Sequence, residues 1–401
     1  MRIALLPDEY LPSGTRVHSR MFHELALQLK KVGHHPIVIT PGTPLQKLSL
    51  EIDFVDGIEV WRFKSGYTRG VGMVRRAINE WLISFRAWHA IKNKVKENNF
   101  DLCINYAPTI FFGPLAKKFK SRGTYIYLIL RDMFPQWIID QGLIKEKSLA
   151  AIFFRYYEKL NYQVADCIGI QSKANLDLFN EKFPNFAEIK ILRNWSSTEA
   201  LPSKNYNIDL LNQIGLANKI VFFYGGNTGY AQDMTNIMRL ARNLKSLEEA
   251  HFLIIGQGDE FNLILDLKLK WDLFNVTIMP SIPQNEFSRV LATIDVGLFS
   301  LSSQHSTHNF PGKLLGYMLE SKPILGSVNI GNDLFETINT SGAGLAFVNG
   351  DDDLLADAAI KMTLDNNLRT TMGLRARNLL LSEFSVESAV DSILIAMKAR
   401  S

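Results

Sequence analysis

His305-Ser306-Thr307-His308-Asn309-Phe310-Pro311-Gly312-Lys313-Leu314-Leu315-Gly316-Tyr317-Met318-Leu319-Glu320-Ser321-Lys322-Pro323-Ile324-Leu325-Gly326-Ser327 reads as a polar loop, a short apolar helix starting near Lys313, and a small strand from Ile324 to Ser327. A loop that ends at a helix N-terminus leaves backbone N–H groups unpaired and presents the positive end of the helix dipole. Lys313 at that position makes the segment suited to a phosphate or diphosphate. A βα connection carrying a surface lysine would read the same way from these residues alone.

The same strand–loop–helix rhythm surrounds this stretch. Ile220–Tyr224 is an apolar strand closed by Gly225-Gly226-Asn227-Thr228-Gly229, and His251–Ile255 is another, closed by Gly256-Gln257-Gly258-Asp259. Val276–Met279 runs into Pro280-Ser281-Ile282-Pro283, and Asp295–Phe299 leads to the opening stretch. Leu345–Val348 is the last strand, Asp351-Asp352-Asp353 starts a helix whose dipole suits acids, and Phe384–Lys398 is a terminal helix. The three aspartates have no second ligand cluster, so no metal site is read there.

The first half repeats the pattern. Arg2–Leu6 is a strand, Pro7–Thr15 a loop with Gly14-Thr15 at its end, Arg16–Gly33 a helix and Pro36–Thr40 a strand. This βαβ unit puts its glycine loop at the carboxyl end of the first strand, where open α/β sheets bind ligands. An ordinary tight turn is the competing reading. Glu51–Lys64 alternates like a strand pair around Asp56-Gly57. Asp101–Tyr106, Tyr125–Leu130, Cys167–Gln171 and Ile189–Leu192 are further strands. Tyr125–Leu130 is continuously apolar, as a parallel strand covered on both faces should be. It ends at Arg131-Asp132-Met133-Phe134-Pro135-Gln136-Trp137. Val74–Asn99 predicts one long helix with Ile78, Trp81, Leu82, Phe85, Trp88 and Val95 along one side and six basic residues among them. Tryptophans beside basic residues suit a membrane interface; a core-packed helix with a solvated basic face is the alternative.

The 401 residues are enough for two domains, and 47% apolar with 21% charged residues is a globular composition. No run approaches the roughly 18–20 apolar residues of a membrane-spanning helix. The chain opens in a strand without signal-peptide architecture, and Cys103 and Cys167 read as buried thiols, so a reducing, cytoplasmic compartment is expected. Charge is uneven: residues 1–200 carry 28 Lys/Arg against 19 Asp/Glu, whereas residues 201–401 carry 16 against 21. A basic first half suggests an anionic partner such as phospholipid, a diphosphate-bearing acceptor or nucleic acid. There is no HExxH, CxxC, Walker lysine, metal-spaced His pair or GxSxG elbow. The expected architecture is α/β, with two doubly wound Rossmann-like domains facing across a cleft: residues 1–200, residues 201–383, and a C-terminal helix over 384–401 that crosses back to the first domain. Ser196 to about Ala217 reads as the linker.

Phe223–Gly229, Ile254–Asp259 and Pro311–Met318, together with the glycine loop of the first strand, resemble retaining glycosyltransferases of family 4, which have the GT-B fold. Leu130–Trp137 combined with Thr307–Lys313 more specifically resembles L-fucosamine (N-acetyl-L-fucosamine) transferases of the WbuB type from bacterial O-antigen and capsule clusters. The resemblance implies a UDP-sugar donor and a lipid-diphosphate-linked saccharide acceptor, no cofactor, no metal and no nucleic acid. The protein would sit peripherally on the inner face of the cytoplasmic membrane, through helix 74–99. Gly226, Asn227 and Gly229 would cover the diphosphate with Lys313 neutralising it. Ile282 would meet the base, and Gly14 and Thr15 would close from the first domain. Asp132 and His308 are the candidate catalytic residues, Asn309 neighbours the donor sugar, and His18 suits a structural role equally well.

Two departures stand against that pattern. Many members carry two glutamates eight apart, where this chain has His308 and Gly316; many also carry Arg and Lys after the Gly-Asn loop, where it has Gln232, Asp233 and Met234. Lys313 is thereby left as the main phosphate cation. A GT-B nucleotide-sugar epimerase and a catalytically silent sugar-nucleotide-binding subunit are the rival readings.

Overall fold

A computed structural model describes all residues except 13, 15, 16, 69, 141–143, 185, 187, 199–209, 305–309, 400 and 401, and the backbone alone at 17, 73, 137, 140, 284 and 285. The chain forms two compact units, Met1–Arg193 with Val386–Ser401, and Asn194–Ser385.

In the first unit the strands are β1 (Arg2–Leu6), β2 (His35–Pro41), β3 (Leu50–Val55), β4 (Ile58–Phe63), β5 (Leu102–Ala107), β6 (Tyr125–Leu130), β7 (Cys167–Ile170) and β8 (Glu188–Ile191). They form one sheet in the order β3-β4-β2-β1-β5-β6-β7-β8. Every pairing is parallel except β3 with β4, which is antiparallel around Asp56 and Gly57, both at positive φ. The helices are α1 (Val17–Lys31), α2 (Met73–Trp81), α3 (Ile83–Glu97), α4 (Gly113–Lys120), α5 (Gln136–Asp140), α6 (Leu149–Val164) and α7 (Lys173–Lys182). All six residues of β6 are buried, which is why its sequence has no polar alternation. Chain order reverses between β1 and β5, so the ligand-binding crevice of such a sheet lies at their carboxyl ends. Cys103 and Cys167 are buried free thiols; burial pushes the Cys167 thiol up to about 12.

After α8 (Leu210–Gln213), the second unit carries β9 (Ile220–Asn227), β10 (Ala250–Gln257), β11 (Val276–Pro280), β12 (Val296–Ser300), β13 (Ile324–Val328) and β14 (Gly344–Val348). These form an all-parallel sheet in the order β11-β10-β9-β12-β13-β14, with its switch point between β9 and β12. Alternate residues of β9 face opposite cores. Val221 and Phe223 join Leu253, Ile255 and Tyr317, while Phe222 and Tyr224 join Phe252, Ile254 and Met234. The helices between these strands are α9 (Met234–Asn243), α10 (Phe261–Lys270), α11 (Gln284–Thr293), α12 (Lys313–Leu319) and α13 (Leu334–Ser341).

Three local expectations are corrected. The helix expected over Val74–Asn99 is two, α2 and α3, because Leu82 (φ −77°, ψ −3°) makes a tight turn in which its N–H meets the carbonyls of Ile78 and Glu80. Ser84 then fixes the rotation of α3: its hydroxyl donates to the Phe111 carbonyl and accepts the Leu115 amide at 3.1 Å. Ile83, Ala87, Ile91 and Val95 therefore face the core, and Ile78, Trp81 and Phe85 remain exposed. The six residues expected along one side do not share a side. The glycine loop after Ile220–Tyr224 begins inside the sheet, since Gly225, Gly226 and Asn227 are the last residues of β9 and pair with Ile255, Gly256 and Gln257. The terminal helix starts at Val386 rather than Phe384, because Phe384 ends the preceding helix, Asn366–Glu383, and Ser385 makes a bridge to Ser196.

Candidate functional site

The carboxyl edge of the second sheet carries the densest set of expected residues. Lys313, the first residue of α12, extends its Nζ to 3.2 Å from the centre of the Tyr224 ring. Its methylene stem lies beside Gly226: a Cβ built there would be 4.0 Å from Lys313 Cε. The Nζ atom is buried, and among the described residues it has no hydrogen-bond acceptor. Burial holds the amine well below the usual lysine pKa. Desolvating an ammonium without an acceptor is costly, and the π-face of a tyrosine offsets only part of that cost. The position is thus built for a cation that acquires an anionic partner.

Free amides at the helix start contribute less than the sequence implies. α12 has seven residues, and the N–H groups of Leu314 and Leu315 are turned back to the carbonyls of Pro311 and Gly312. The lysine is the stronger feature.

Gly226, which stands next to Lys313, belongs to a braced turn that also carries Asn227 and Gly229. Gly226 has φ +110° and Gly258 φ +154°, conformations that side chains disfavour. A Cβ on Gly256 would come 1.9 Å from the Gly226 carbonyl oxygen, and one on Gly258 would come 2.7 Å from the backbone of Thr228. The Gly256–Gly258 segment is therefore the back wall of the Gly225–Gly229 turn. Gln232 braces the front: its Oε1 accepts from Asn227 Nδ2 at 2.9 Å and from the Gly229 amide at 3.1 Å. Where the family pattern has a basic residue, this chain has an internal strut. Tyr224 completes the turn by donating its hydroxyl to the Asn227 carbonyl at 2.6 Å.

Several supporting residues were not anticipated. Glu260 accepts the Met234 amide at 2.8 Å and gives its own amide to the Thr228 carbonyl, tying α9 to the turn. Asp233 adopts a left-handed conformation (φ +43°), and its carboxylate accepts from Asn349 Nδ2 at 2.9 Å. Asn349 Nδ2 also donates to the Leu301 carbonyl, joining the exits of β9 and β12 at the switch point. The only sequence signal for these residues was their place after strand ends. Ile282 lies in the segment after β11 on the same edge, half-buried, and packs with Phe287 and Phe310 against the core that contains Val290, Leu291 and Leu315. A Cβ at Gly316 would start 3.1 Å from Leu291 Cδ1, so this family glutamate position is directed at α11. His308, Asn309 and Thr15 lie outside the described residues.

In the first unit, Gly14 and Asp132 both lie at the carboxyl edge, beyond β1 and β6, with β5 between them. Gly14 is buried and gives its amide to the Tyr10 carbonyl at 2.9 Å; a Cβ there would come 2.6 Å from Ser19 Oγ. His18 is held between two neighbours, with Nε2 at 2.8 Å from Asp8 Oδ1 and its ring stacked on Tyr106 at 5.2 Å between centroids. Asp8 is a further residue that the sequence reading passed over. Arg131 donates to the carbonyls of Leu192 at 2.6 Å and Arg193 at 3.1 Å, and burial lowers its pKa to about 10. Asp132 reaches solvent, yet the protein mass around it raises its carboxyl pKa against the pull of Arg131. Among the described residues, no group of three or more His, Cys, Asp or Glu is placed to hold a metal ion.

Residues 210–379 match the family described as Glycosyl transferases group 1. The chain is similar to the probable glycosyltransferase WbjE of Pseudomonas aeruginosa, with 26% identity over 218 residues. That similarity spans 54% of this chain and 54% of WbjE, so the chain matches about half the length of this relative. Among solved structures, sucrose-phosphate synthase of Thermosynechococcus elongatus superposes with a TM-score of 0.68 at 15% identity, covering 100% of both chains. WaaG, a glycosyltransferase involved in lipopolysaccharide biosynthesis, gives 0.62 at 15% identity over 98% of this chain and 99% of its own. The E. coli trehalose-6-phosphate structure bound with UDP-2-fluoro glucose gives 0.69 at 11% identity over 99% of each. The whole chain therefore has the fold of the GT-B glycosyltransferases, and its second unit carries the match to Glycosyl transferases group 1.

Proposed function

We propose that this protein is a glycosyltransferase that takes a sugar from a UDP-sugar, with N-acetyl-L-fucosamine as the preferred assignment, and delivers it with retention to a lipid-diphosphate-linked saccharide. The observation that carries the reading is the buried Lys313 amine beside Gly226, where a Cβ would meet nothing closer than Lys313 Cε at 4.0 Å and the backbone is open to a phosphate oxygen. The similarity to WbjE supports glycosyl transfer, the similarity to WaaG supports a role in lipopolysaccharide assembly, and the UDP-2-fluoro glucose bound by a structural neighbour supports a UDP-linked donor.

In this reading the residues divide the work by unit. Lys313 and the amides of Gly226, Asn227 and Gly229 stabilise the nucleoside diphosphate as it leaves, in place of a metal. Gln232 and Gly256 hold that turn in shape, and Ile282 receives the base. Gly14 and Thr15 are assigned as further donor-binding residues. Asp132 holds a sugar hydroxyl, with His308 and Asn309 as neighbours of the donor sugar. The exposed residues of α2 and α3 contact an anionic membrane at the cytoplasmic face. Among the described residues, no helix is long and apolar enough to cross a membrane.

The test is release of UDP from a panel of UDP-sugars with and without a polyisoprenyl-diphosphate-linked saccharide. Acceptor-dependent release supports transfer. Turnover without acceptor would replace it with epimerisation or hydrolysis.

A further inference from the structure

α6 carries an exposed apolar stripe at helical spacing: Leu149, Ile152, Phe153 and Tyr156, with Leu149 86% and Tyr156 64% exposed. Its opposite face is spent on the interior, where Ala151, Glu158, Asn161 and Tyr162 are buried. A second stripe runs through α2 into α3, formed by Val74, Ile78, Trp81 and Phe85, with Val74 76% and Phe85 70% exposed. The two stripes meet. Trp81 Nε1 donates to the Tyr157 hydroxyl at 2.6 Å, and the Trp81 and Phe153 rings stand 6.5 Å apart, edge to face.

Eight exposed apolar residues on three helices form one face. Apolar side chains scattered singly over a surface are ordinary; a periodic, contiguous set rimmed by charge marks a docking surface. Its rim is basic, with Arg75 and Arg76 at the start of the first stripe and Lys145 and Lys147 just before the second, all exposed. Glu80 is paired with Arg76 at 2.8 Å, and Glu146 lies between the two lysines. Tryptophan and tyrosine beside an apolar stripe with basic neighbours are the side chains that settle at a headgroup boundary. A second copy of the chain would bring the same basic rim against itself, which disfavours that occupant.

We infer that α6 supplies the second half of a face that docks on an anionic lipid bilayer, completing the stripe of α2 and α3. The inference rests on the membrane contact proposed above and extends it in two ways. It adds a helix, and it connects the docking face to the loop bearing Asp132. From Phe153 the rings continue inward to Phe154 at 5.6 Å and from Phe154 to Phe134 at 5.1 Å, two residues beyond Asp132. Arg155, on the same helix, donates to Gln136 Oε1 at the start of α5, which follows that loop. A lipid acceptor lying in the bilayer would then meet the Asp132 loop at a height set by the docked helices.

The test is flotation of the full chain with vesicles of phosphatidylglycerol and phosphatidylethanolamine, against vesicles of phosphatidylcholine alone. The wild type should float with the anionic vesicles and be released by salt. Leu149→Ser with Ile152→Ser and Tyr156→Ser should lower partitioning at least tenfold with α2 untouched; Lys145→Glu with Lys147→Glu should abolish the preference for anionic lipid. These side chains are exposed, so thermal unfolding and UDP titration should match the wild type, which keeps failure of docking separate from failure of the glycosyltransferase reading. Equal flotation of the triple variant and the wild type would overturn the role of α6. Absence of wild-type flotation would overturn docking altogether, as would a wild-type dimer that the triple variant dissolves.

Discussion

Lys313 Nζ lies 3.2 Å from the centre of the Tyr224 ring, and the hydroxyl of that tyrosine donates to the carbonyl of Asn227, inside the glycine turn. One aromatic ring therefore positions both the cation and the turn. The amine is buried without an acceptor among the described residues, and its pKa is held down by that burial.

Removing the amine should weaken nucleotide binding. Lys313→Ala is expected to lose at least about tenfold in UDP affinity, roughly 1.4 kcal/mol, the size of a charge-assisted phosphate contact. Calorimetric titration of both proteins at equal salt checks it. An affinity within twofold of the wild type would remove Lys313 from the phosphate site.

Binding should also take up protons. The free protein holds the Lys313 pKa below its ordinary value, and a diphosphate beside the amine raises it. The complex thus binds more protons than the free protein, and affinity is greatest below the free-state pKa and falls as pH rises through the pKa in the complex. Titrations in buffers of different ionisation enthalpy, made above the free-state pKa, should show more proton uptake with the wild type than with Lys313→Ala. Equal proton exchange in the two proteins across the pH range would contradict the assignment.

Glycine substitutions distinguish the wall of the turn from its surroundings. Gly256→Ala puts a Cβ 1.9 Å from the Gly226 carbonyl oxygen, so the backbone must move; the expected cost is about 1–3 kcal/mol, together with loss of UDP binding. Gly312→Ala meets nothing within 4 Å and should leave both unfolding and binding unchanged. Thermal unfolding and titration of the two variants check the contrast.

Asp132 should matter for turnover and not for the nucleotide. Asp132→Asn is expected to lower kcat about 10²-fold, the scale of one electrostatic contact made in the transition state, with UDP affinity unchanged. The raised carboxyl pKa of the free protein moves the acid limb of the wild-type kcat/KM profile upward from where an ordinary aspartate would put it, with activity rising as pH rises through it. The variant should lack that limb. An identical limb in Asp132→Asn would assign it to another group.

Both sheets were legible in the sequence because parallel strands covered on two faces have no choice but continuous apolar runs, as in Tyr125–Leu130. Lys313, Gly226, Asn227 and Gly229 could be placed from the sequence at the edge where such sheets bind ligands, and the structure sets Lys313 beside Gly226 in the turn that carries the other two. The pairing of Gly226 with Gly256 was not, since register depends on where β9 ends and periodicity stops at glycine. Gln232 looked like a lost cation and is a brace, a role visible only once Asn227 Nδ2 and the Gly229 amide converge on one oxygen. The break at Leu82 was hidden because apolar residues at helical spacing continue through it on a different face; the contact that fixes the new phase comes from Phe111, 27 residues along the chain from Ser84. His18 found its partner in Asp8 across a loop whose path no local pattern specifies.

The most direct measurement is calorimetric titration of the intact chain with UDP, GDP and dTDP, without added metal and again with EDTA. Tight binding of UDP alone, unchanged by EDTA and weakened in Lys313→Ala, is the predicted result. Preference for GDP would change the donor and leave the site standing. Failure of all three nucleotides to bind would contradict the assignment of Lys313 and the Gly225–Gly229 turn as a diphosphate site.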